Sequence, residues 1–373
     1  MRIAIAINTS WNIYNFRSGL IRFFIKEGYE VIAIAPKDQF SKKLVSELGC
    51  DFVPISMENT GSNPLKDLLL LKQLKSIYKK YNPDVALHYT IKPNIFGTLA
   101  ASSLDIPVIN NVSGLGTVFL NNNFSTKIAK WLYKVSFKKA NLVFFQNPDD
   151  QRDFLTEVPL DDLKTDLLPG SGVTLDLYNP SPLPNLNTIK FLMIARVIID
   201  KGVKEYIEAA EVIKSKYSNV EFQLLGELDE GHARGIEAAY INQKHQEGVI
   251  NYLGTSTDVR VEINGVHCVV LPSYREGTPK TLLEAASLAR PLITTNVPGC
   301  KEVVIDQENG YLCNARDSRS LKDMIDKVIN SSYDELTEMG KLGRKLVENK
   351  FDERHVIKKY SYHVSKLIKT NLV

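Results

Sequence analysis

The sequence has 373 residues, too many for one typical domain and enough for two that each bury a core. With 44% hydrophobic and 24% charged residues it excludes the disordered and fibrous classes, and its four scattered cysteines lack the C-x-x-C or His spacing of a zinc module. The net charge of +3 hides an imbalance, since residues 1–140 hold 18 Lys and Arg against 9 Asp and Glu while the remainder holds 28 against 34, so the first part favours an anionic surface or ligand.

Residues 3–7 form a short apolar run that ends in Asn8, Thr9 and Ser10, and a periodic segment over 17–27 closes at Gly28. This reads as strand, loop, helix. Further strands are expected at 31–35, 53–55, 85–88, 108–111 and 142–146, with helical patterns between them. Such alternation predicts a doubly wound α/β domain with a parallel sheet over 1–168, its ligands at the carboxyl ends of the strands. Residues 124–140 place Lys127, Lys130, Lys134, Lys138 and Lys139 among Ile128, Trp131, Leu132, Val135 and Phe137. That is the pattern of a basic amphipathic helix, which either lies on an anionic membrane or packs on the core with a solvated lysine face. No nucleic-acid recognition motif accompanies the basic residues, so a nucleic-acid partner is not expected.

Pro169, Pro180, Pro182 and Pro184, with Gly170, Ser171 and Gly172, mark 169–188 as a linker. Alternation then restarts over 189–353, with strands expected at 189–194, 220–225, 250–253, 268–271 and 291–294. A last helix, 354–369, could return to the first domain, 354–373 being set apart for it. No apolar run approaches membrane-spanning length, and the opening residues turn polar too soon for a signal peptide, so a cytoplasmic chain with reduced cysteines is expected.

Chemistry concentrates where the strand 268–271 feeds a helix, in Ser273-Tyr274-Arg275-Glu276-Gly277-Thr278-Pro279-Lys280-Thr281-Leu282-Leu283-Glu284. Glu276 falls in the loop and Glu284 in the helix, so two carboxylates can face one hydroxyl-rich ligand, while Gly277 and the free amides of the helix start suit phosphate oxygens. Taken alone, that spacing more often means a helix cap and a solvated glutamate. Arg196 and Lys201, after the strand 189–194, add two cations at the same edge, which suit a diphosphate leaving group.

With these motifs, Leu225-Gly226, Tyr252-Leu253-Gly254 and Thr295-Asn296-Val297-Pro298-Gly299, the chain resembles the retaining nucleotide-sugar transferases of glycosyltransferase family 4. The resemblance implies the GT-B fold, two Rossmann-like domains facing each other across a cleft. It also implies roles: Arg196 and Lys201 on the donor diphosphate, Glu276 on the transferred sugar, Glu284 on the ribose hydroxyls, Gly254 and Thr255 near the base, and the Thr281 and Leu282 amides near the phosphates. Gly226, Gly277 and Thr278 complete the donor set. The expected donor is a UDP-sugar, with no cofactor and no metal.

The segments 88–94 and 112–116 look like those of bacterial enzymes that extend lipid-linked oligosaccharides, which implies a glycan acceptor on a polyprenyl diphosphate and a peripheral place on the membrane. Where many family members carry a His after the fourth strand, this chain has Ser113, and their Gly-Gly pair near the first helix is replaced by Asn15-Phe16-Arg17-Ser18-Gly19. Arg17, His88, Lys92 and Ser113 are the acceptor-side candidates. His88 could orient the acceptor or be a structural histidine; Arg17 and Lys92 could meet its diphosphate or be solvated. A nucleotide-sugar 2-epimerase of the same architecture and a non-catalytic sugar-nucleotide sensor are the competing readings. A nicotinamide dehydrogenase is disfavoured because residues 8–12 lack G-x-G-x-x-G.

Overall fold

The computed structural model describes all residues except 59–62, 116–123, 230 and 372–373. The chain divides into two compact units, residues 1–171 with 353–373, and residues 172–352.

The first unit is built on seven parallel strands: β1 (Arg2–Ala6), β2 (Glu30–Ala35), β3 (Asp51–Pro54), β4 (Val85–Tyr89), β5 (Val108–Val112), β6 (Leu142–Phe145) and β7 (Thr165–Leu167), in the order β3-β2-β1-β4-β5-β6-β7. Side chains alternate between the two faces of such a sheet. Ile3, Ile5, Val31 and Ala33 therefore enter one core, and Ala4, Ala6, Ile32 and Ile34 the other. Helices cover both faces: α1 (Ser10–Lys26), α2 (Ser41–Ser46), α3 (Pro64–Tyr81), α4 (Thr98–Ser102), α5 (Phe124–Phe137) and α6 (Pro148–Glu157). The α1 helix starts earlier than its apolar period suggests, because Thr9 Oγ1 accepts the Asn12 N–H at 3.0 Å and caps it at Ser10. Asn63 caps α3 in the same way, with Pro64 at the first helical position.

The second unit repeats the plan with β8 (Ile189–Ile194), β9 (Val220–Leu225), β10 (Asn251–Tyr252), β11 (Cys268–Leu271), β12 (Leu292–Thr295) and β13 (Gly310–Cys313), all parallel, in the order β10-β9-β8-β11-β12-β13. Its helices are α7 (Val203–Lys216), α8 (Ala238–Gln246), α9 (Arg260–Asn264), α10 (Lys280–Ser287), α11 (Ser318–Ile329) and α12 (Tyr333–Lys350). The final helix, α13 (Glu353–Asn371), belongs to the first unit, where Val356, Tyr360, Val364 and Ile368 are buried beside β1 and β4 residues.

The proline-rich stretch is less of a linker than its composition suggests. Val173, Leu175 and Leu183 are buried in the second unit's core, and the Val173 N–H donates to the Phe351 carbonyl at 2.9 Å. From Gly172 onward it is a strap on that unit. Two strands, β7 and β13, escaped the sequence pattern; β7 is a half-buried three-residue edge strand.

Candidate active site

In each sheet the order reverses beside the first strand, between β1 and β4 and between β8 and β11. A crevice opens beyond the carboxyl ends of such strands, because the chain leaves them in opposite directions. In the second unit the loops that follow β8 and β11 carry the strongest sequence candidates.

Lys201 closes the short 3-10 turn Ile199–Lys201 after β8, and its ammonium pairs with Glu276 Oε1 on the loop after β11. Ser273 Oγ, fully buried, donates to the same oxygen at 2.7 Å. The two loops are tied by the Tyr274 N–H, which donates to the Asp200 carbonyl at 2.9 Å. Glu276 is further fixed from behind: its N–H donates to the Pro298 carbonyl at 3.1 Å. Gly299, with φ +84°, passes so close that an added Cβ would stand 2.2 Å from the Glu276 carbonyl oxygen. Gly299 therefore sets how closely the loop after β12 approaches the Glu276 backbone.

Arg196 leaves the same loop as Lys201 but is exposed and only loosely held, 3.4 Å from Asp229. Gly226, after β9, allows the chain to press against the β8 loop, since a Cβ there would meet the Ala195 carbonyl oxygen at 1.7 Å. Its N–H donates to the Gly254 carbonyl at 2.7 Å, and the exposed Thr255 follows. Thr278 is half-buried in the loop before α10.

Glu284 is buried on α10 and has partners of its own. The Tyr178 hydroxyl donates to Oε1 at 2.6 Å, and Lys280 Nζ lies 3.6 Å away. Burial first, then the adjacent Glu284 charge, push the Tyr178 phenol well above its ordinary value. The Leu282 amide does not stand free for a phosphate: it and the Leu283 amide point at the Pro279 carbonyl, at 3.1 and 3.3 Å. The short first turn tightens onto that oxygen, leaving Thr281 nearer the open helix start.

In the first unit, two acceptor-side candidates already have partners of their own. His88 is fully buried at the end of β4, with Nε2 2.8 Å from the Tyr78 hydroxyl and Nδ1 3.2 Å from Asn110 Oδ1. Burial holds its pKa down to about 4, against a smaller opposing effect of the Asn110 bond. It is a neutral structural histidine with both ring nitrogens engaged. Lys92 is not a spare cation either, since Nζ pairs with Asp67 at 2.9 Å. It lines a groove of about 880 Å³ with Lys37, Lys66, Glu58 and Asp67. Ser113 is exposed, its hydroxyl donating to Asn111 Oδ1 at 2.9 Å, while Gly116 of the same motif lies outside the described residues. Arg17 is buried over the Tyr89 ring at 4.2 Å.

All four cysteines are free and buried, and burial pushes the Cys300 thiol up to about 12. Among the described residues no three His, Cys, Asp or Glu side chains are grouped as a metal site requires, and no helix is long and apolar enough to cross a membrane.

Residues 2–147 match the family model "Glycosyl transferase 4-like" and residues 178–346 match "Glycosyl transferases group 1". The chain is 28% identical to the N,N'-diacetylbacillosaminyl-diphospho-undecaprenol alpha-1,3-N-acetylgalactosaminyltransferase of Campylobacter jejuni, over 99% of this chain and all of that one. It is 25% identical to the UDP-Gal:alpha-D-GlcNAc-diphosphoundecaprenol alpha-1,3-galactosyltransferase of Escherichia coli, over 75% of this chain and 76% of the relative. Among solved structures, an Anabaena protein, HepE, in complex with UDP aligns at a TM-score of 0.78 with 17% identity, covering 98% of this chain and 100% of that one.

Proposed function

The chain belongs to the glycosyltransferases of family 4 type, a 4-like unit followed by a group 1 unit in the GT-B architecture, and from that premise we propose how it transfers sugar. It is a hexosyltransferase. Its donor is a UDP-sugar and its acceptor a glycan on a polyprenyl diphosphate, in bacterial surface polysaccharide or glycan synthesis. The names of the C. jejuni and E. coli relatives support the acceptor; UDP in the E. coli name and in the Anabaena complex supports the donor.

One observation carries the mechanism: Lys201, Glu276 and Ser273 meet on the loops that follow β8 and β11. The diphosphate of an arriving donor competes for Lys201, and the transferred sugar's hydroxyls donate to the Glu276 carboxylate thereby released. Arg196, weakly held by Asp229, turns to the same diphosphate. Glu284 takes the ribose hydroxyls. As the sugar–phosphate bond breaks, the two cations stabilise the growing negative charge in place of a metal. The acceptor hydroxyl attacks the face that the phosphate leaves, and the departing phosphate oxygen takes its proton. The anomeric configuration is retained, and no enzyme nucleophile is needed. Alpha linkages in both relatives' names are what retention gives from an α-linked nucleotide sugar.

The enzyme works at the inner membrane surface as a peripheral protein. The exposed side of α5 carries Lys127, Ile128, Trp131 and Lys134, with Lys138 exposed just past its end and Trp131 61% exposed. On α3, Leu65, Leu68 and Leu69 are exposed at helical spacing, and both helices pack on the residues 93–97 between them. Exposed apolar side chains interspersed with lysines suit anionic headgroups.

The test is a screen of UDP- and GDP-sugars against polyprenyl-diphosphate-linked sugars, with the product anomer read by NMR. An α-linked product is expected. A β-linked product from an α-linked donor overturns retention, and failure to glycosylate any lipid-diphosphate sugar overturns the acceptor.

A further inference from the structure

We infer that Arg17 forms a built anion site at the strand reversal of the first unit, and that its ligand is the diphosphate of the acceptor. Arg17 sits two turns into α1 and is only 5% exposed. Its guanidinium lies 4.2 Å over the ring of Tyr89, the last residue of β4, which pairs with β1 at the point where the strand order reverses. Parallel sheets take their ligands there.

The group is left unfinished. Nη1 donates to the Phe16 carbonyl at 2.9 Å, whereas Nε is sealed from solvent without a hydrogen-bond partner. Among the described residues no carboxylate comes within ion-pair distance of it. A desolvated guanidinium without a counter-charge is costly, so its persistence calls for a reason. Arg290 shows what a structural arginine looks like in this protein. It is fully buried too, but its Nε donates to the Ile263 carbonyl at 3.1 Å and its other nitrogens reach Ser181 and Asn264 oxygens at 2.8 to 3.0 Å. Arg17 has no such closure.

Phosphate oxygens match the two-pronged donor geometry of a guanidinium. A ring beneath the cation holds it in place without spending its N–H groups. Ser113 is exposed on the loop after β5, the strand next to β4, and its hydroxyl is tied to the buried Asn111, whose Nδ2 donates to Tyr360 at 3.1 Å. Released from its bond to Asn111 Oδ1, that hydroxyl is the second donor we assign to the anion. Lys92, the rival cation, is already neutralised by Asp67. The identification of the anion as the acceptor's diphosphate rests on the proposed function above; the anion site itself does not.

The experiment titrates the full-length protein with inorganic pyrophosphate while saturating UDP occupies the nucleotide site, for the wild type, Arg17→Met and Arg17→Lys. In parallel, transfer is measured to a short prenyl-diphosphate-linked sugar and to the same sugar on a neutral alkyl chain. The wild type should bind pyrophosphate, Arg17→Met should lose about 30-fold or more, and Arg17→Lys should fall between, keeping charge without the fork. For Arg17→Met, kcat/KM on the diphosphate acceptor should drop about 100-fold with the neutral acceptor unchanged. Its melting temperature should not fall, because a buried unpaired charge has been removed. A wild type that ignores pyrophosphate, a Met variant that binds it equally well, or a clear loss of melting temperature would overturn the site. If pyrophosphate binds through Arg17 but no diphosphate-linked acceptor is used, the site stands and the acceptor reading falls. Undiminished use of that acceptor by Arg17→Met means the reverse.

Discussion

Lys201 and Glu276, 75 residues apart in the chain, form an ion pair whose carboxylate oxygen also accepts the Ser273 hydroxyl. The pair holds the cation and the carboxylate ready at the carboxyl edge of the sheet, in a contact that a donor's diphosphate and sugar can replace.

Their separate roles can be told apart kinetically. Lys201→Ala should weaken UDP binding and lower kcat/KM by about 10² to 10³, the scale on which single charge-stabilising groups act in transition states. Glu276→Gln should lower kcat to a similar extent while UDP affinity, read by titration, stays within a few-fold. Both proteins should remain folded, because the pair joins two loops and buries little apolar surface. Near-normal turnover in either variant would remove it from the mechanism.

Glu284 offers a test on the nucleotide alone. If it holds the ribose, Glu284→Gln should weaken UDP about tenfold and leave 2′,3′-dideoxy-UDP nearly unaffected, since one charge-assisted hydrogen bond is worth about 1.5–3 kcal/mol. Tyr178→Phe, which deprives the buried carboxylate of its 2.6 Å donor, should lower stability by about 1–2 kcal/mol in urea unfolding. Equal losses for UDP and its dideoxy form would detach Glu284 from the ribose.

Much of this was legible because it is local. The apolar runs of β1, β4, β8 and β11 announce themselves, and Glu276 and Glu284 lie in one contiguous motif behind a buried strand. What escaped depends on distant pairing. The bond of Tyr178 to Glu284 spans 106 residues, and the press of Gly299 on Glu276 follows from the path of the loop after β12. His88 and Lys92 stayed open for a related reason. A polar residue at a strand's carboxyl end looks like a ligand until the structure supplies Tyr78, Asn110 and Asp67 as its partners. The early start of α1 turned on a single Thr9 hydroxyl bond, and β7, three half-buried residues long, offers no period to read.

The buried His88 should leave a mark on acid stability. In the folded protein its pKa is held near 4, while an unfolded chain protonates near the ordinary 6.5. Between those values the unfolded state binds the extra proton. The stabilisation is therefore complete above about pH 6.5 and is lost as pH falls toward 4, by up to about 3 kcal/mol. Urea unfolding at pH 7 and pH 4.5 should show a smaller difference for His88→Gln than for the wild type. Parallel pH profiles would mean that His88 titrates normally in the fold.

The exposed apolar and lysine side chains of α5 and α3 should decide membrane attachment. Trp131 stands on the same side of α5 as Lys127 and Lys134, and α3 adds Leu65, 76% exposed, with Leu68 and Leu69. Lysines near an anionic surface contribute about 1 kcal/mol each, and apolar insertion adds to that. The wild type should bind phosphatidylglycerol vesicles and largely ignore phosphatidylcholine ones. Since the chain has two tryptophans, a Trp11→Phe background lets Trp131 emission report insertion directly through a blue shift. Trp131→Glu with Leu68→Ser should cut vesicle affinity at least about tenfold, the repulsive charge and the lost apolar area acting together. Transfer to a short, water-soluble acceptor should be untouched by these changes, whereas transfer to a long-chain lipid acceptor in vesicles should fall with binding. Equal binding to both vesicle types would rule out headgroup recognition, and unaltered binding by the double variant would move the contact surface elsewhere.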